Sequence, residues 1–181
     1  MNLPNRLSLL RIVLIPVCLG LKYAGTPLFD ALALIVFLIA SFTDFLDGHI
    51  ARSRNLVTDL GKFIDPVADK LLVLSVLILL TAQGQISAWM VIIVLARELA
   101  VDGLRMVASL KGRVIAAGKL GKIKTVSQMA AISLAIIHNW PFGIFPMKEI
   151  LAYVMVAFTL WSGIDYFIKN RSVLSAGEEQ K

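Results

Sequence analysis

The chain has 181 residues, 58% of them hydrophobic and only 17% charged, with a mean hydropathy of +0.81. A soluble globule of this size buries about 70% of its chain surface, too little to hide so much apolar material, and the same composition excludes disorder. The net charge is +6, and the basic residues stand in short clusters between apolar runs without forming one basic face, which argues against a nucleic-acid partner.

A membrane-spanning helix needs about 20 mostly apolar residues. In chain order, residues 7–23 supply the first, with Arg11 near its start, and residues 29–52 the second, apolar until Asp44. No charge occurs between residues 71 and 96, a run too long for one span. Gln83, Gly84 and Gln85 break it, which predicts spans at 61–82 and 89–110. A fifth span covers 125–139, followed by a turn rich in Pro and Gly (Pro141, Gly143, Pro146), and a sixth covers 150–168. The expected fold is an all-α integral membrane protein of six transmembrane helices, with a single domain over 1–171 and a loose polar tail over 172–181. Arg6 and Arg11 flank a short apolar run, but no small-residue cleavage site follows before Lys22. The first segment is therefore expected to stay as a helix. The single cysteine, Cys18, excludes an intrachain disulfide and reads as a small packing residue.

Six spans put both termini on one side. Thirteen of the 18 Lys and Arg fall on that side, three (Lys70, Arg97, Arg105) fall within spans, and Lys22 and Lys148 fall on the other side. The positive-inside rule then sets both termini, and the loops after spans two and four, in the cytoplasm. Tyr23, Trp89, Trp140 and Tyr153 are expected at the outer boundary as an aromatic belt, with His138 as an interfacial polar residue.

Carboxylates inside spans are costly and point to function. Asp44 and Asp47 stand three apart at the end of span two, and Asp65 and Asp69 four apart near the start of span three. Each spacing puts its pair on one helix face. The short connection between the two spans brings the four together at the cytoplasmic side. Oxygen-only ligation of this kind suits hard ions such as Mg²⁺, Mn²⁺ or Ca²⁺. The plainer reading is ion pairing with Arg52, Arg54, Lys62 and Lys70. Gly48 and Gly61, which let a ligand or another helix approach closely, weigh against it.

Asp44, Asp47, Gly48, Ala51 and Arg52, then eight residues, then Gly61, Asp65 and Asp69, match at all eight fixed positions the signature of the CDP-alcohol phosphotransferase family. The segment 2–11 is similar to that family's N-terminal segment. The segments 96–105 and 121–128 resemble those of a bacterial member whose acceptor is glycerol 3-phosphate. The resemblance covers nearly the whole chain. It implies six transmembrane helices in a homodimer of the bacterial cytoplasmic membrane, with the active site facing the cytoplasm. It implies transfer of the phosphatidyl group of CDP-diacylglycerol to an alcohol, with release of CMP. By position it implies that Asp44, Asp47, Asp65 and Asp69 hold two divalent ions, Mg²⁺ or Mn²⁺, and that Asp69 is also the general base. Asn5, Gly48, Ala51, Arg52 and Gly61 would bind CDP-diacylglycerol, Arg52 at its phosphates.

Glycerol 3-phosphate is a dianion, so its site needs cations beyond the metals. Arg97 and Arg105 stand eight apart on span four, and Lys119, Lys122 and Lys124 come just before span five. Arginine forks suit phosphate and lysine adds a point charge. Arg97, Arg105, Lys119, Lys122 and the Thr125 hydroxyl are the expected acceptor residues. Arg97 has an alternative in pairing with Glu98 or Asp102. Other acceptors (inositol phosphate, serine, choline) define the nearest rival activity. The rival of another class is an ion-binding transporter or membrane scaffold; a transporter would carry its carboxylates near the bilayer midplane within an inverted repeat. Here they gather at one face and no repeat is visible.

Three further expectations concern single charges. Asp165 is predicted to pair with Lys169 at i, i+4, Asp59 to sit in the loop, and Asp30 to favour the N-terminal dipole of span two. Asp65 followed by Pro66 looks like a helix start, whereas the family pattern starts the helix near Gly61; a kink at Pro66 would reconcile the two.

Overall fold

The computed structural model describes residues 3–53, 59–113, 115 and 118–175, with side chains for 6–43, 67–113, 115 and 118–173. Among the described residues all regular structure is helical. In order these are α1 (Leu3–Ala24), α2 (Pro27–Ser53), α3 (Asp59–Ala82), α4 (Ala88–Leu110), α5 (Lys119–Ile136), a 3-10 turn (Trp140–Phe142), α6 (Met147–Lys169) and a short α7 (Ser172–Ser175). The six long helices overlie the six predicted apolar segments. Most run past them into polar sequence, because the backbone ladder does not depend on side-chain polarity.

That extension corrects three expectations. The helix α5 begins at Lys119, so Lys119, Lys122 and Lys124 lie on its first turns and not in a preceding loop. Asp59 opens α3 and is not a loop residue. The same helix is continuous across Asp65 and Pro66, so no helix starts there. Past α6, the first residues of the predicted tail form α7, with Val173 buried.

Glycine is required where two of these helices end. Gly84, in the break between α3 and α4, has φ +70°. Gly112 has φ +69°; its N–H bonds to Ser109 O and that of Arg113 to Ala108 O, both at 2.9 Å. This 5→2 and 6→1 pair is a Schellman end, which favours a left-handed residue that glycine adopts without a Cβ clash.

The chain forms two compact units. In the first, Met1–Ile86 with Ser133–Pro141, α1 packs along α2 and α3, and α2 touches α3. Ile15, Ala33, Phe37, Leu72 and Val76 form its core, and Cys18 is buried there as a packing residue. Arg11 is 0% exposed, its Nε donating to Ala40 O at 3.1 Å. In the second, Ser87–Ile132 with Phe142–Lys181, α4 packs on α6 and α7. Val101, Leu104, Ala108, Tyr166 and Val173 form a core cluster there.

Beside these apolar cores, every long helix also exposes large aliphatic side chains. Val13, Ile35, Ile78, Ile92, Val126 and Ile164 are exposed on α1 to α6, whereas Arg11, Lys22, Lys124, Gln128 and Thr159 are buried. In water each exposed aliphatic side chain would forgo about 1.5–3 kcal/mol of burial energy. By length and composition, Arg6–Ala24 and Met147–Lys169 among the described residues are apolar enough to cross a membrane. The helix α4 carries Arg97, Glu98, Asp102 and Arg105, which lower its apolarity.

Candidate active site

In the first unit, Asp44 and Asp47 lie toward the C-terminal end of α2, and Asp65 and Asp69 in the first half of α3. Both pairs sit on continuous helix, so each presents one face. Because α3 follows α2 and packs against it, the two pairs belong to the same end of the helix pair. Asp69 is partly buried. The side chains of Asp44, Asp47 and Asp65 lie outside the described residues, as do those of Asn5, Gly48, Ala51, Arg52 and Gly61. Four carboxylates from two adjacent helix ends are a donor set of the hard-oxygen type that divalent cations need.

In the second unit, α4 directs two guanidinium groups toward α6. A Cβ built on Gly163 of α6 would lie 3.1 Å from Arg97 Cγ, so this glycine permits the close approach. Arg97 Nη1 donates to Glu98 Oε1 at 3.3 Å, the pairing foreseen as its alternative. Its Nε is buried with no hydrogen-bond partner among the described residues. Lys124 Nζ also donates to Glu98 Oε1, so one buried carboxylate faces two cations. A groove of about 460 Å³ beside Arg97 is lined mostly by apolar residues, Ile93, Leu160 and Ile164 among them, with Thr159.

One helical face further along, Arg105 Nε donates to the Tyr166 hydroxyl at 2.9 Å and its guanidinium stacks 5.5 Å from the ring centroid. Lys119 and Lys122 are exposed on the first turns of α5. Thr125 is exposed there too, its hydroxyl donating to Gly121 O at 3.1 Å. That bond leaves the Thr125 oxygen able to accept but uses its proton, so the donor role expected at a phosphate competes with the helix. The predicted pair of Asp165 with Lys169 is present at 2.8 Å. It borders a cavity of about 560 Å³ with mixed polar and apolar lining that also touches Arg113, Tyr166 and Ser172.

Three residues had weak or no signal in the sequence. Tyr166 acts on Arg105 from 61 positions away, beyond any local spacing rule. Lys22 is 1% exposed and bonded to Asp30, to Ile136 O and to His138. His138, its side chain 48% exposed, touches that buried pair at 3.1 Å from Asp30. It also ends α5 at φ +52°, a left-handed position usually held by glycine.

Comparison with known proteins identifies the family. Residues 1–161 match the model of the CDP-alcohol phosphatidyltransferase family. The chain is 45% identical over 187 residues to a CDP-diacylglycerol–glycerol-3-phosphate 3-phosphatidyltransferase of Bacillus subtilis (strain 168), covering 96% of this chain and 97% of that one. It is 40% identical over 169 residues to the proteins of the same name from Rickettsia typhi and Rickettsia prowazekii, covering 92% of this chain and 95% and 93% of those. With the eight-position signature on α2 and α3 and similarity along almost its whole length, the chain belongs to the CDP-alcohol phosphatidyltransferase family.

Proposed function

We propose that the protein is a membrane-embedded phosphatidyltransferase that moves the phosphatidyl group of CDP-diacylglycerol to glycerol 3-phosphate, giving phosphatidylglycerophosphate and CMP. The observation that carries this reading is the 45% identity, over 96% of the chain, to a relative named for that reaction. The aliphatic side chains exposed on every long helix support the bilayer as solvent: exposed Val, Leu and Ile are costly in water and at home in lipid. All six long helices are proposed as spans, with both termini and the active site on the cytoplasmic side, where basic residues predominate. The enzyme is proposed to work as a homodimer in the cytoplasmic membrane of a bacterium.

In this reading Asp44, Asp47, Asp65 and Asp69 hold two divalent cations, Mg²⁺ or Mn²⁺. When bound, such ions neutralise the pyrophosphate and stabilise the departing CMP. Asp69 takes the proton from the acceptor hydroxyl. That oxygen forms a bond to the phosphorus carrying diacylglycerol, and the bond from this phosphorus to the bridging oxygen breaks. The electron pair leaves with CMP. Arg52, Asn5, Gly48, Ala51 and Gly61 receive the nucleotide and its phosphates. Arg97, Arg105, Lys119, Lys122 and Thr125 receive glycerol 3-phosphate, whose two negative charges call for several cations. The buried Nε of Arg97, with its hydrogen unmatched, supports an anionic partner at that position.

The test is a CMP-release assay on the purified protein with CDP-diacylglycerol and a panel of acceptors, with and without chelator. Metal-dependent release with glycerol 3-phosphate alone is the expected result. Release with inositol phosphate, serine or choline instead would reassign the acceptor, and no release with any acceptor from folded protein would sink the reading.

A further inference from the structure

We propose that Tyr166 is a positioning residue that aims Arg105 at the acceptor phosphate; the inference rests on the acceptor role given above to Arg105. Arg105 has no carboxylate partner among the described residues. Its guanidinium is held instead by a neutral group, the Tyr166 hydroxyl and ring. Arg11 and Lys111 also donate to neutral groups, the Ala40 and Val173 carbonyls, but several other cations of the described residues are held by carboxylates. Arg97 and Lys124 share Glu98, Lys22 has Asp30, and Lys169 has Asp165. A neutral anchor fixes the direction of Arg105 without cancelling its charge, which is the arrangement an incoming anion requires.

The geometry also selects how that anion is gripped. A guanidinium has five N–H donors in one plane. It can hold an oxyanion side-on, through Nε and one Nη, or end-on, through both Nη atoms. The Tyr166 oxygen occupies Nε, which closes the side-on mode and leaves the end-on fork for two phosphate oxygens. Lysine has no such fork.

The anchor itself is firmly seated. Tyr166 is 7% exposed and packs with Val101, Leu104 and Ala108 of α4 and Val173 of α7. Lys111 Nζ donates to Val173 O at 2.6 Å, tying the α7 turn to the end of α4. The turn after α6 thereby becomes part of the support for Arg105.

The test is steady-state CMP release by the purified full chain, varying each substrate separately. Tyr166→Phe keeps the ring and removes the hydroxyl. It is expected to raise the KM for glycerol 3-phosphate about three- to tenfold, the equivalent of one hydrogen bond of ordinary strength, while kcat and the KM for CDP-diacylglycerol stay unchanged. Arg105→Ala should raise the same KM, and adding Tyr166→Phe to it should change nothing more, since the hydroxyl then has no guanidinium to hold. A packing role alone would leave the acceptor KM untouched or degrade every constant together. A raised KM in Arg105→Ala beside an unchanged one in Tyr166→Phe would overturn the positioning role and leave Arg105 in the acceptor site. An unchanged KM in both would remove Arg105 from that site and the inference with it.

Discussion

The Lys22 ammonium lies 2.6 Å from the Asp30 carboxylate, with both side chains buried. The contact joins the last turn of α1 to the first turn of α2. Lys22 also donates to Ile136 O at 2.9 Å, satisfying a carbonyl at the end of α5, and His138 Nε2 stands 3.1 Å from the second Asp30 oxygen. Removing one partner leaves a buried charge without compensation, which costs about 3–5 kcal/mol. Asp30→Ala is therefore expected to lower thermal stability in detergent sharply. Replacing both members with apolar residues (Lys22→Met with Asp30→Leu) should recover most of the loss, as read from the two melting temperatures.

Glu98 is the second buried node. It faces Arg97 and Lys124 from α4, so Glu98→Gln leaves two cations close together in a poorly hydrated place. A loss of about 3–5 kcal/mol is expected, and Lys124→Met in the same chain should offset part of it. Chemical denaturation of the single and double variants checks this.

Gly163→Ala weighs two known effects against each other. Alanine gains about 1 kcal/mol of helix propensity over glycine. The added methyl would stand 3.1 Å from Arg97 Cγ, the base of a side chain and not its flexible tip. Overpacking of this kind costs about 1–3 kcal/mol. The net expectation is a modest destabilisation, seen as a lowered melting temperature, whereas a stabilised variant would mean that Arg97 moves aside freely.

Asp69→Asn keeps size and polarity but cannot take a proton. Turnover should fall by about 10²–10⁴-fold, the usual share of a general base, while binding of CDP-diacylglycerol persists. Turnover measured by CMP release and binding measured by calorimetry separate the two effects.

Chelation should abolish activity, with recovery on adding Mg²⁺ or Mn²⁺. The carboxylate donor set predicts weaker recovery with soft, thiolate-seeking metals. A metal series in the same assay tests the assignment of Asp44, Asp47, Asp65 and Asp69.

Much of the architecture was legible in the chain because its signals are local. Six apolar runs and the break at Gln83 to Gln85 each lie within one window, and the helices follow them. The i, i+4 pair of Asp165 and Lys169 was legible for the same reason. Helix ends were less so: α5 begins at Lys119 because a helix continues through polar residues wherever its backbone bonds can form. The destinations of Arg97 and Lys22 were ambiguous, since a charge inside an apolar segment can face a ligand, a lipid headgroup or another charge.

The sequence by itself determined the helical class, the positions of the long helices, and the signature that marks the family, since hydropathy and fixed spacing are properties of adjacent residues. Only the tertiary structure decided which charges are committed to one another. Glu98 takes Arg97 and Lys124, Asp30 takes Lys22, and among the described residues Arg105 is held by the neutral Tyr166 hydroxyl. Apart from Arg97 and Glu98, neighbours on α4, those partnerships connect separate helices, and the strength of an ionic contact depends on distance and burial in space, which a linear order of residues does not contain.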